Sequence, residues 1–331
     1  MNLLASWLKK SEQRNKETDK NLELLVTLWP SFPHFLRFAQ DSRLAGIRLN
    51  SAMMNNPELE NELKLLKTLP VKIPLYFDVK GRQLRVTKVH PNPDFPELSL
   101  NHPISVETPT MVLFKAGADQ AILDRIDDDG TRLIFRSCPA YNIREGESLH
   151  IRHPSLQVHG ETFTEAELQK IEKVRRAGFK HYFLSYVESQ RDVDRFLELV
   201  GKDAEVMLKI ENKQGLSFVA NEFHKRSNLT LVAARGDLYV ELDKPHEIMA
   251  ALRLIIAKDP KACVGSRIFL STVTSPVPEC CDFLELAWLY DIGYRSMMLC
   301  DEICLKEHLL GTAVNAFESF RKTYTKNPAH M

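Results

Sequence analysis

Lys209 and Glu211 stand on either side of Ile210 in the apolar run 206–210, and Asp237 lies just beyond a second such run, 229–233. Residues two apart in a strand project to the same side, so Lys209 and Glu211 face one way together. Charged side chains belong at strand ends simply because strand ends meet solvent, but that does not explain why Lys209 and Glu211 bracket Ile210 inside an otherwise apolar run; an ammonium and carboxylates brought to one rim form a charged site that could take a cation or an anionic ligand.

The elements that position these residues are short β-branched or aliphatic runs alternating with helical patterns, which argues for repeated βα units and a parallel sheet. Eight runs are counted: 24–28, 46–49, 73–77, 182–185, 206–210, 229–233, 267–270 and 296–299. Helical spacing fills 165–177, 193–200, 216–225, 246–257, 282–290 and 305–320. The stretch 87–160 differs, because Pro91, Pro93, Pro96, Pro103 and Pro109 exclude a long helix. Inside it, 111–115, 120–126 and 131–136 alternate or run apolar, and Asp129-Gly130 supplies a hairpin turn. Asp127, Asp128 and Asp129 lack the glutamate that closes a calcium loop, which leaves a solvated turn. The fold class predicted is α/β, a (β/α)₈ TIM barrel with a small antiparallel β domain inserted after strand three. The expected division is a leader at 1–20, barrel at 21–86, insert at 87–160, barrel at 161–325 and a tail at 326–331.

In such barrels chemistry sits where strands end and βα loops begin. Arg48 and Asn50, Asp78 and Lys80, Ser185, Lys209 and Glu211, Arg235 and Asp237, Thr272 and Glu302 all fall there. With 331 residues, 44% of them hydrophobic, the chain can bury a large core. Its 44 basic and 44 acidic residues create no net field toward nucleic acid or an anionic membrane. No apolar run reaches the roughly 18 residues of a membrane span, and residues 1–20 lack the continuous apolar segment expected of a secretory signal. Six cysteines without a CxxC pair fit a reducing cytoplasm, with Cys300 and Cys304 expected as buried thiols rather than metal ligands.

The segments Leu-Lys-Ile-Glu-Asn-Lys-Gln-Gly (208–215) and Ala-Ala-Arg-Gly-Asp-Leu (233–238) resemble the paired signatures of pyruvate kinases. Val26-Thr27-Leu28-Trp29-Pro30-Ser31, Ile47-Arg48-Leu49-Asn50, Asp78-Val79-Lys80-Gly81 with Leu84-Arg85, Ser185-Tyr186-Val187, Ser271-Thr272-Val273 and Met298-Leu299-Cys300-Asp301-Glu302 resemble that family's motifs at successive strands. The resemblance implies that Glu211 and Asp237 hold Mg²⁺ or Mn²⁺, that Lys209 contacts the transferring phosphoryl group, and that Thr272 lies near the carbon that is protonated. It also implies that Arg48, Asn50, Arg85 and Lys80 face phosphates. Ser185 would touch the substrate, main-chain groups of Ala234, Arg235 and Gly236 would hold its carboxylate, and the insert would close as a lid. The partners implied are phosphoenolpyruvate or pyruvate and ADP or ATP. Nucleic acid and membrane are not among them, and a homo-oligomer is compatible.

Departures from the family's pattern carry their own expectations. Asn50, Asp78 and the Val79 carbonyl match its monovalent-cation ligands, whereas Ala52 replaces a serine hydroxyl. That predicts weak dependence on K⁺, with Arg82 a candidate to supply the missing charge. Met53, Gln83, Tyr239 and Val273 also depart from the pattern. The sequence ends near the eighth unit, where the family continues into a regulatory domain, which predicts no activation by sugar bisphosphates. Two other functions fit a metal pair at a barrel mouth: an aldolase or lyase acting through a pyruvate enolate, and a non-catalytic descendant.

Overall fold

The computed structural model describes residues 22–51, 54, 56–92 and 95–324. The expected leader, Ala52, Met53 and the 326–331 tail lie outside the described residues. Eight strands, Glu23–Thr27, Gly46–Asn50, Leu75–Val79, His181–Leu184, Glu205–Ile210, Leu229–Ala234, Cys263–Gly265 and Ser296–Met298, close into a barrel in which each lies beside its sequence neighbours and the last pairs with the first. All eight pairings are parallel.

The barrel expresses the period-two rule directly. Leu25, Phe183, Met207, Val232, Cys263 and Met298 cluster apart from the main core, as a plug of side chains contributed by alternate strand positions. Their neighbours Leu24, Val26, Leu184, Leu208, Leu231 and Val264 belong to the large core that the helices cover. Two residues beyond the plug on the same side stand Thr27, Ser185, Lys209 and Ala234. The polar residues at the strand ends thus inherit an inward orientation from a packed layer beneath them.

The outer helices form where the apolar period changes. In Gln190–Val200 the buried Val193, Phe196, Leu197 and Val200 recur at helical spacing, Ser189 caps the first turn by accepting from the Asp192 amide, and Gly201 ends it at φ +106°. Thr164 caps Glu165–Arg176 and Asn212 caps Lys213–Asn221 in the same way.

One strand assignment is corrected. The seventh strand is Cys263–Gly265, not 267–270. Ser266, Arg267 and Phe269 take left-handed φ values of 67°, 65° and 55°, and a 3₁₀ turn follows at Leu270–Val273. The run Arg-Ile-Phe-Leu is apolar because Ile268 and Phe269 are fully buried, and burial alone does not separate a strand from a packed turn.

The insert holds six antiparallel strands in the spatial order Leu149–His150, Thr110–Phe114, Asp119–Asp127, Arg132–Phe135, Glu97–Leu100 and Val86–His90. A separate ribbon pairs Ile104–Ser105 with Gln157–Val158. Leu98, Val112, Phe114, Leu123, Leu133 and Phe135 give the insert its own core. Its expected hairpin turns at Asp128, Asp129 and Gly130, with φ of 51°, 52° and 94°. A side chain at Gly130 would stand 2.6 Å from the Ile104 carbonyl oxygen, so glycine is required twice over.

Candidate active site

The mouth of the barrel is built around Asp78, the last inward position of the third strand and fully buried. Arg48 reaches its Oδ2 at 2.7 Å through both Nε and a terminal nitrogen. Lys80 Nζ stands 2.9 Å from the same oxygen and Lys209 Nζ 3.7 Å from it, while Ser185 Oγ donates to Oδ1 over 3.0 Å. Burial opposes ionisation of this carboxyl, yet the charges of Lys209, Lys80 and Arg48 outweigh it and hold Asp78 far below the usual carboxylate range. Gly81 lets the third-strand loop come this close to the fourth, since a Cβ there would lie 2.5 Å from the Ser185 carbonyl oxygen.

Lys209 links this group to the carboxylates. Its ammonium donates to Ser185 Oγ at 2.9 Å and stands 2.8 Å from Glu211 Oε1. Burial disfavours its charge, but Asp78 and Glu211 raise its pKa above the ordinary lysine value, so it stays protonated. Glu211 Oε2 accepts from the Tyr186 amide at 2.7 Å, and Tyr186 is held at φ +51°. Burial and the nearby Asp237 raise the Glu211 pKa against the pull of Lys209.

Asp237 lies in the first turn of Arg235–Glu241, directly after the sixth strand. Gln83 donates to its Oδ2 at 3.5 Å, and His150 Nε2 lies 3.3 Å from its Oδ1. His150 belongs to the insert, is 1% exposed, and places Nδ1 2.7 Å from Glu241 Oε1. Burial disfavours its charge, but bonding to Asp237 and Glu241 pushes its pKa up to about 9. Burial likewise opposes ionisation of Asp237, and His150 overcomes it and keeps that carboxyl well below its usual range.

The donor set suits a hard cation. Glu211 and Asp237 offer buried carboxylate oxygens, with Glu211 Oε1 meeting the Lys209 ammonium and Glu211 Oε2 the Tyr186 amide. Among the described residues no three His, Cys, Asp or Glu side chains are arranged to close a metal site by themselves. A cation here would therefore need water or substrate oxygens to complete its shell.

Other residues singled out from the sequence are placed as follows. Asn50 and Arg48 both turn to Asp301, over 3.0 and 3.3 Å. Arg85 donates to the Gly146 carbonyl and to Gln83 Oε1, each at 2.5 Å, with its Nε buried and unpaired. Thr272 is buried and its hydroxyl donates to the Phe269 carbonyl at 2.7 Å. Ala234 ends the sixth strand, and Arg235 and Gly236 open the helix after it. The Arg235 side chain leaves the mouth for Glu285 and the carbonyls of Gly265 and Ser266. The Val79 carbonyl accepts from the Ser185 amide at 2.9 Å within the barrel ladder.

Lys80, 4% exposed, points into the mouth at Asp78. Arg82, the candidate for supplying charge there, instead donates to the Gly160 carbonyl at 3.1 Å and approaches Asp192. Burial lowers the Lys80 pKa to about 7 against the attraction of Asp78. Cys304 is buried, Cys300 half-buried.

Sequence reasoning passed over His150, Glu241 and the pairing role of Asp301. Asp301 sat within the quoted eighth-strand motif, whereas nothing local marks a histidine on a two-residue insert strand as facing the barrel. His150, Tyr186 and Glu241 also line a cavity of about 610 Å³ between the insert's returning segment and the barrel, with Arg82, Arg152 and Lys213 around it.

No helix among the described residues is long and apolar enough to cross a membrane. No family model matches the chain. The chain is 24% identical over 307 residues to a pyruvate kinase of Thermoplasma acidophilum, covering 86% of this chain and 55% of that protein. It is 25% identical over 307 residues to a pyruvate kinase of Agaricus bisporus, covering 79% and 56%. Over a shorter stretch of 142 residues it is 30% identical to pyruvate kinase 1 of Saccharomyces cerevisiae, covering 41% and 27%. The chain spans about half the length, or less, of these curated relatives, and at this identity the similarity supports a pyruvate kinase-like relationship and no finer assignment.

Proposed function

We propose that the chain is a pyruvate kinase-like, metal-dependent phosphotransferase acting between phosphoenolpyruvate, or a related enol phosphate, and ADP. The observation that carries this reading is Lys209, a buried ammonium held between Ser185 and Glu211 beside Asp237. It is a positive charge fixed before substrate arrives, which is what phosphoryl transfer asks of a protein.

Glu211 and Asp237 would hold Mg²⁺ or Mn²⁺, which when bound neutralises phosphoryl and enolate oxygens. Lys209 would contribute a second positive charge and, being protonated, does not act as the base. Ser185 orients Lys209 by accepting a hydrogen bond from its ammonium and donating its own hydroxyl hydrogen bond to Asp78. Main-chain amides at Ala234, Arg235 and Gly236 hold the substrate carboxylate, Thr272 lies toward the carbon that is protonated, and Arg85 with Asn50 serves the phosphates. The antiparallel insert, taken as 87–160, acts as the lid, and its His150 is the side chain that brings it against Asp237.

The test is a coupled assay for pyruvate from phosphoenolpyruvate with a panel of nucleoside diphosphates and Mg²⁺ or Mn²⁺. Turnover is expected, and expected to vanish in Glu211→Gln and Asp237→Asn at unchanged far-UV circular dichroism, because each loses a charged oxygen ligand. Absence of pyruvate with every nucleotide and either metal refutes the phosphotransferase. Wild-type turnover in either variant at limiting metal refutes the assigned pair.

A further inference from the structure

Asp301 opens the short helix Asp301–Cys304 that follows the eighth strand. The N-cap position of that helix is held by Cys300, whose side chain makes no capping hydrogen bond, and a single turn has little dipole for a carboxylate to complement. Its carboxylate turns across the mouth instead, Oδ1 accepting from Arg48 at 3.3 Å and Oδ2 from Asn50 at 3.0 Å. The contact closes the inventory of Arg48: Nε and one terminal nitrogen go to Asp78, and the other is shared between Thr27 Oγ1, at 3.2 Å, and Asp301. Arg48 is 8% exposed, while the Asp301 side chain keeps a third of its surface in solvent. Asp301 is therefore the one partner of Arg48 at the open edge of the network.

We infer that Asp301 is a specificity-determining residue, an internal carboxylate that occupies Arg48 and Asn50 in place of a phosphoryl or carboxyl group and that an anionic substrate must displace. This rests on the reading of Arg48 and Asn50 as substrate-facing. The two arrangements exclude each other: an oxyanion on the outer nitrogen of Arg48 would share its donor with Asp301 and meet a like charge within a few ångströms. A neutral residue at 301 leaves the same donors in place without the competing charge. Asp301 thereby lowers the affinity of this end of the mouth for a free phosphate and reserves it for ligands bound strongly enough elsewhere to move the carboxylate aside.

The experiment measures binding without turnover, by calorimetry with inorganic phosphate and separately with phosphoenolpyruvate, on the full chain. Asp301→Asn and Asp301→Ala are expected to tighten both on the order of 10- to 100-fold, the range a like charge a few ångströms away imposes at a partly exposed site. Adding Arg48→Met to either should remove that gain. Unchanged affinity in both single variants, with thermal melts showing a native fold, overturns the inference, as does a gain that survives Arg48→Met. A chain with no phosphotransferase activity in which phosphate still binds more tightly to Asp301→Asn supports this inference while refuting that activity. An active chain without the gain does the reverse.

Discussion

Replacing Asp78 by asparagine keeps a side chain of nearly the same shape and removes the charge on which the barrel mouth is organised. Three cations, Arg48 at 2.7 Å, Lys80 at 2.9 Å and Lys209 at 3.7 Å, then face the remaining carboxylates without it. Taking one partner from a buried ion pair costs about 3–5 kcal/mol, because the survivor stays desolvated without compensation. Arg48 cannot escape by losing its proton. Lys80 can, since burial already lowers its pKa to about 7 while Asp78 holds it up. Without Asp78 the Lys80 pKa falls further. A lysine whose folded pKa lies below its unfolded value binds fewer protons when folded, so its contribution to stability rises with pH from the folded pKa to the unfolded one. In the wild type that rise begins near pH 7, and in Asp78→Asn it begins lower. Each pH unit in the window is worth up to about 1.4 kcal/mol. Urea unfolding followed by circular dichroism should show Asp78→Asn less stable by about 3–5 kcal/mol at roughly pH 6, with the gap narrowing by about 1 kcal/mol near pH 8.5. Adding Lys80→Met should abolish that narrowing. A variant within about 1 kcal/mol of wild type at both pH values, or a gap that widens as pH rises, would refute this account of the network.

Lys209→Met should lower kcat on the order of 10²–10³-fold with a much smaller change in KM, because a preorganised charge acts mainly where charge moves in the transition state. Steady-state kinetics check this, and a change confined to KM contradicts it. Activity should respond little to K⁺, because the Lys80 ammonium already sits 2.9 Å from Asp78 and the Val79 carbonyl already accepts a hydrogen bond from Ser185. Initial rates in potassium and tetramethylammonium buffers of equal ionic strength decide it, and a large K⁺-specific activation would show that Lys80 leaves room for the ion.

What the sequence by itself determined about this protein was local. Alternation along 206–210 showed that Lys209 and Glu211 share a side, and the structure adds why that side is inward: Met207 beneath them belongs to the barrel's central plug. The prolines of 87–160 excluded a helix there, and the β insert follows. Local pattern failed at the seventh strand, because Ile268 and Phe269 are apolar for reasons of burial, while left-handed φ at Ser266 and Arg267 bends the chain away from the sheet. The charge pairing was decided only by tertiary structure. Arg48 and Asp301 are 253 residues apart, Tyr186 and Glu211 belong to different βα units, and His150 comes from a separate sheet. Spacing along a chain says which way a side chain points within its own strand. It does not say which of several carboxylates a buried arginine will choose, because that follows from distances set when the barrel closes, and a desolvated charge takes every oxygen that closure brings within reach.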